Sequence, residues 1–194
     1  MGRVVSSASM SLDGFIAHPD DTPGALFDWY GSGDVEVRTA RHDLTFRLTP
    51  QSAAHWTAWV ADLGALVVGR RLFDLTDGWG GHHPLGVPVV VVTHRAPEDW
   101  PHAGPTTGFA RDVGAAVARA QQLAGDATVG VAAGTIASQC LALGLLDEVA
   151  VDLVPVVLGA GRRYLTEGTT AHLGDPTTCV PGDRVTHLRF PVRR

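Results

Sequence analysis

Short apolar runs, each closed by a polar or glycine-rich turn, recur along the chain and alternate with stretches of helical period. Arg3 to Met10 mixes Val4 and Val5 with small residues and is followed by the turn Ser11-Leu12-Asp13-Gly14, so the chain opens with a strand buried on both faces. Similar runs occur at Ala65 to Gly69, Pro88 to Val92, Thr128 to Val131 and Glu148 to Val154, and an alternating run spans Val185 to Val192. Between them lie helical segments. Thr49 is placed to cap a helix that has Pro50 at its first position and runs to Leu63; Ser52, Trp56, Val60 and Leu63 form one stripe, with His55 and Trp59 on the next. Arg70 to Leu75 reads as a short helix, Asp112 as the cap of Val113 to Ala124, and Gly144 as the stop of a helix over Ile136 to Leu143.

Strands with continuous apolar sequence, joined by helices, predict an α/β fold: a mostly parallel sheet with helices on both faces and the last strands closing one edge antiparallel. The 194 residues suit one domain covering positions 1–194. His18 to Gly33 is rich in Pro, Gly and Asp yet carries Phe27, Trp29 and Tyr30, which marks it as a lid candidate. The segment from Pro155 to Asp183 reads as mainly loop.

Composition narrows the partners. A formal net charge of −5 offers no basic face for nucleic acid, and no apolar run is long enough to span a bilayer. Cys140 and Cys179, far apart, suggest neither a disulfide framework nor a zinc site. The N-terminus lacks the charged and apolar regions of a secretion signal, so the expected location is the cytoplasm.

In parallel sheets the ligand crevice lies at the carboxyl ends of the strands, which singles out the turns after Val68, Val92 and Val131. Gly69-Arg70-Arg71 puts two guanidinium groups at a helix start, where free N–H groups and permanent charge suit a phosphate. Solvated surface charge is the competing reading. Thr93-His94-Arg95 repeats the theme, against the alternative of a polar turn capped by Thr93. Ala132-Ala133-Gly134-Thr135 would let a diphosphate approach the backbone before a helix N-terminus, although small residues also serve close packing.

These segments resemble a known family: the dihydrofolate reductase-like reductases, in particular stand-alone relatives of the reductase domain of the bifunctional riboflavin-biosynthesis deaminase/reductase. The resemblance rests on the run Ser9 to Ala17 (SMSLDGFIA), Val68 to Phe73 (VGRRLF), Val92 to Arg95 (VTHR), Val131 to Ile136 (VAAGTI), Leu145 to Val149 (LLDEV) and Pro155 to Gly161 (PVVLGAG), in order over nearly the whole chain. It implies a three-layer dihydrofolate reductase-like fold and an NADPH-dependent reduction of a small heterocyclic substrate, pterin- or pyrimidine-like. It further implies that Ala8, Ile16 and Ala17 border the nicotinamide, and that Gly69, Arg70 and Arg71 border the 2′-phosphate. Thr93, His94 and Arg95 would border the adenosine, and Ala133, Gly134, Thr135, Ile136 and Ala137 the diphosphate. Arg70, Arg71 and Arg95 supply more cationic groups than a ribose hydroxyl needs, which favours NADPH over NADH. Relatives often form homodimers, and the apolar strand Val149 to Leu158 is the candidate surface.

The chain departs from its relatives at the substrate end. Folate reductases carry an acidic residue on the helix corresponding to Pro50–Leu63, where only Asp62 stands at the far end; riboflavin-pathway enzymes often have an acidic residue where this chain has Ala132. Asp13, Asp28 and His55 are the candidate proton donors, against the readings of a turn aspartate, a solvated loop carboxylate and a satisfied core histidine. Trp29, Tyr30, Trp59 and Trp79 are candidates for stacking on a flat substrate, or else core residues. His82 and His83, with His94 and His102, lack a ligand spacing, so no metal is expected. Two rivals stand beside an unassigned reductase: a riboflavin-pathway pyrimidine reductase or dihydrofolate reductase proper, and a cofactor-binding or regulatory protein without turnover.

Overall fold

The computed structural model describes residues 2–102, 104 and 106–193. Its strands are β1 (Val4–Ser11), β2 (Phe15–Ala17), β3 (Val35–Arg38), β4 (Thr45–Leu48), β5 (Leu63–Gly69), β6 (Val89–Val92), β7 (Thr107–Ala110), β8 (Thr128–Ala132), β9 (Glu148–Val154), β10 (Arg162–Arg163), β11 (Thr178–Pro181) and β12 (Thr186–Pro191). Its α-helices are α1 (Pro50–Asp62), α2 (Arg70–Leu75), α3 (Val113–Ala124) and α4 (Thr135–Ala142). Eight strands form one sheet in the order β11-β12-β9-β1-β8-β5-β6-β7. From β9 to β7 every neighbouring pair is parallel, and β12 and β11 add the antiparallel edge.

Strand alternation distributes the apolar runs to two faces. Val4, Ala65, Val67, Val90, Val129 and Val131 pack against α3 and α4 through Val113, Val117, Ile136 and Cys140. Val5, Leu66, Val68, Val89 and Val91 pack against Trp59 of α1 and Phe73 of α2. This is the three-layer α/β architecture expected. Both predicted caps form: Thr49 Oγ1 accepts from Ser52 N at 3.3 Å and Asp112 Oδ1 from Ala115 N at 2.8 Å.

Three readings need correction. His18 to Gly33 is not only loop, because a 3₁₀ helix over Gly24–Gly31 sinks Leu26 and Trp29 to 0% and 1% exposure, and the Trp29 indole N–H donates to Ser9 Oγ at 3.1 Å. The strand part of the proposed dimer surface lies in the interior, since β9 is hydrogen-bonded to β1 on one side and β12 on the other and has no free edge, whereas Val157 beyond it is exposed. The segment to Asp183 also contains β10, which pairs with β2, and β11, which pairs with β12.

Candidate functional site

The carboxyl ends of β5, β6 and β8 open into one cleft of about 1890 Å³. Gly69, Thr93 and the Ala132–Thr135 turn all line it, so three turns remote in sequence meet at one sheet edge. Gly69 caps α2 without a side-chain hydrogen bond, and a Cβ there would come within 3.2 Å of Ile136 Cγ1, which explains a small residue. Gly134 sits at φ +82°, ψ −139°, a conformation reserved in practice for glycine, and its N–H donates to Tyr164 O at 2.7 Å. No side chain caps α4 either, which leaves the amide groups of its first turn directed at the cleft without a side-chain acceptor.

The arginines are not equivalent. Arg70 donates through Nε to Asp74 Oδ1 at 2.7 Å and through Nη1 to Arg95 O at 2.8 Å, which ties α2 to the turn after β6. Arg71 is committed to Asp21, which it meets with two nitrogens, and Arg162 Nε reaches the same carboxylate at 2.8 Å. Those two guanidinium groups, Arg71 first, hold the Asp21 carboxyl down at about 2. Arg95 is exposed, its backbone fixed by Thr93 Oγ1, and it forms no ion pair among the described residues. His94 lines the cleft beside it. Ala8, Ile16 and Ala17 line the cleft, whereas Ala137 is fully buried and does not.

At the other end the lining is aromatic. Tyr30 stacks on Trp29 with ring centroids 4.0 Å apart, and Trp59 carries the Arg189 guanidinium 4.7 Å above its ring. Trp79 sits at φ +53° within a left-handed turn that Gly78 and Gly80 make accessible, and its ring meets His83 edge-on at 4.4 Å. Backbone strain of this kind concentrates at functional sites.

The three proton-donor candidates separate. Asp13 is a turn clamp outside the cleft, accepting from Ser11 Oγ at 2.6 Å, Leu158 N at 3.1 Å and Gly159 N at 2.7 Å; the Ser11 hydroxyl leads the effects that hold its carboxyl near 2. Asp28 is also outside, paired at the surface with Arg184 at 3.0 Å. His55 does line the cleft, where burial above all and then His187 push it down to about 4 and keep it neutral.

The carboxyl group at this end comes from a residue that sequence reasoning missed. Asp152 on β9 lines the cleft, and the antiparallel register sets it opposite His187 of β12. His187 is fully buried; its Nδ1 donates to Asp152 Oδ1 at 2.6 Å, and its Nε2 lies 2.9 Å from Ser52 Oγ. Asp62, the one acid on α1, is used elsewhere, by Arg3 and by the Thr128 hydroxyl at 2.5 Å. Asp21 and Arg189 were missed as well. Nothing in an isolated Asp in an apolar strand, or an isolated His near the C-terminus, signals that pairing.

Three of the solved structures that the chain resembles match it over 99% or more of its length. A protein assigned to riboflavin biosynthesis from Shewanella sp. PV-4 superimposes with a TM-score of 0.73 at 17% identity, covering 99% of each chain. Dihydrofolate reductase from Enterococcus faecalis, in complex with NADP(H), gives 0.60 at 11% identity over 100% of this chain and 98% of that one. Acinetobacter baumannii RibD gives 0.56 at 16% identity, and here the chain spans only 58% of the other protein. The fold is dihydrofolate reductase-like. No family model matches the sequence, and no curated protein matches it. In this chain the carboxyl at the aromatic end of the cleft comes from a sheet strand, β9, and none comes from α1.

Proposed function

We propose that this is an NADPH-dependent reductase, one domain over residues 1–194, that delivers a hydride to a small planar heterocycle. The observation that carries the reading is the single cleft joining a phosphate-compatible edge to an aromatic end that contains a carboxyl group. When bound, the cofactor supplies the hydride. The chain's own residues do the rest. The uncapped start of α4 fits a diphosphate, because its first amide groups meet negative charge without a competing side chain, and Gly134 before it, whose own N–H is taken by Tyr164 O, leaves the approach free of a Cβ. Arg70 and Arg95 fit the additional phosphate of NADPH, whereas Arg71 is already neutralised by Asp21. Ala8, Ile16 and Ala17 leave room for a flat ring beside β1, while Tyr30, Trp59 and Trp79 exclude water from the far end.

Titration calorimetry with NADPH and NADH tests this directly: micromolar NADPH binding with much weaker NADH binding is expected, and equal affinities overturn it. Assays with dihydrofolate and with aminopyrimidine substrates separate the two pathway alternatives, and a protein that binds NADPH but reduces neither type would be the regulatory rival. The reading places the protein in the cytoplasm; no helix of the described residues is long and apolar enough to cross a membrane. A homodimer, read by light scattering, would have to use a surface other than β9.

A further inference from the structure

Three residues brought together by the fold are unused by the cofactor end: Asp152, His187 and Ser52. The chain of hydrogen bonds is continuous, from Ser52 Oγ to His187 Nε2 at 2.9 Å and from His187 Nδ1 to Asp152 Oδ1 at 2.6 Å. It runs from a buried interior, with Ser52 2% and His187 0% exposed, to a side chain 17% exposed that lines the cleft. Ser52 belongs to the first turn of α1, so the relay is anchored to a helix start on one side and a central strand on the other.

A carboxylate accepts from Nδ1, which puts the imidazole proton there and leaves Nε2 to accept from the serine hydroxyl. With Oδ1 held by His187, Oδ2 is the oxygen left for a ligand. His55, His187 and Asp152 also present ligand atoms within 4.8 Å of one another. Both His187 nitrogens already have partners, however, and the two imidazoles are stacked at 4.4 Å and 18°, so no common point lies in the plane of both rings. The arrangement suits proton movement better than chelation.

We infer that Asp152 is the acid of the reduction, and that the buried His187–Ser52 pair positions it and sets when it holds a proton. The inference rests on the reductase reading above. Hydride adds to the carbon of a C=N or C=O group while the Oδ2 proton passes to its nitrogen or oxygen. The substrate thus gains one C–H bond and one N–H or O–H bond, with the dihydronicotinamide as the two-electron donor. Asp152 is left a carboxylate, steadied by the His187 Nδ1–H, and takes its next proton from water.

The groups facing Asp152 have fixed charge. His55 from α1 stays neutral down to about 4, the Tyr30 and Tyr164 hydroxyls are held protonated by burial, and Arg189 from β12 contributes a constant positive charge.

The test uses the full chain and 2,4-diaminopyrimidine, a planar base whose ultraviolet spectrum reports its protonation. Wild type should bind the probe in its protonated form above the pH at which the free probe loses its proton. Asp152→Asn should weaken binding by about tenfold or more and abolish that spectrum, and Asp152→Glu should restore part of both. Removing the donor to the carboxylate in His187→Phe, or the hydroxyl that holds that donor in Ser52→Ala, should move the acid limb of the binding profile to higher pH; if His187→Phe fails to fold, Ser52→Ala decides. A probe that binds Asp152→Asn as it binds wild type, that never binds wild type, or whose acid limb stays fixed in the relay variants overturns the inference. NADPH titrated into the same samples keeps the two readings apart. Probe binding without NADPH binding removes the reductase reading and leaves the relay, and NADPH binding with a probe indifferent to Asp152 does the reverse.

Discussion

Replacing the three arginines one at a time should affect NADPH selectivity unequally, and the inequality follows from what each guanidinium already touches. A charge-assisted contact to a phosphate is worth about 1.5–3 kcal/mol. Arg95 has no ion pair to give up among the described residues, so Arg95→Ala should cost the full amount, roughly 10- to 150-fold in NADPH affinity. Arg70 must trade its exposed pair with Asp74, worth about 0–1 kcal/mol, so a net loss nearer 1–2 kcal/mol is expected for Arg70→Ala. Arg71 shares a carboxylate with Arg162, and Arg71→Ala should change the NADPH-to-NADH ratio by less than about threefold. Calorimetric titration of both nucleotides into each variant reads the three ratios at one ionic strength, a necessary control because surface charges are screened. Equal losses for NADPH and NADH in Arg95→Ala, or a selective loss confined to Arg71→Ala, would refute the assignment of this edge to a 2′-phosphate.

Other consequences can be checked without any ligand. Trp29→Ala should lower unfolding free energy by about 3–5 kcal/mol in urea melts, because a ring only 1% exposed is removed together with its bond to Ser9; a loss below about 1 kcal/mol would mean the 3₁₀ segment is dispensable. His83 is pushed down to about 4 by burial, and its Nδ1 accepts from Leu85 N at 3.1 Å, which requires the neutral ring. The unfolded chain therefore binds more protons than the folded one between about 4 and the ordinary value of 6.5. Stability should be lost as the pH falls through that window, by at most about 3 kcal/mol from His83, and His83→Gln should flatten the dependence seen in melts at stepped pH. Gly134→Val should cost about 1–3 kcal/mol and weaken dinucleotide binding, since φ +82° with ψ −139° strains any residue that has a Cβ; an unchanged melting temperature would show that the turn relaxes freely.

The sheet was legible where single segments carry their own instructions. The valine run at 89–92 and the Val-Gly-Val of 129–131 are satisfied between two layers, and Thr49 and Asp112 mark helix starts through local hydrogen bonds, with Pro50 at the first position of its helix. The same locality made the turns after Val68, Val92 and Val131 recognisable as ligand-facing, because a parallel sheet sends those strand ends to one edge. Weak strands were not legible. Thr107–Ala110 and the hairpin of Val35–Arg38 with Thr45–Leu48 have little apolar sequence of their own, and they are strands because neighbours offer backbone partners.

The substrate end was decided by tertiary structure alone. The sequence determined that Asp152 alternates out of step with Val151 and Leu153, but not which sheet face would meet a cleft or that β12 would return antiparallel to place His187 opposite it. Ser52, His187 and Asp152 lie 135 and 35 residues apart, and hydrogen bonds across such separations exist only after the layers have packed. Arg71 shows the same division: its charge and its place at a strand end are written in the sequence, while its commitment to Asp21 depends on a loop from the far side of the chain.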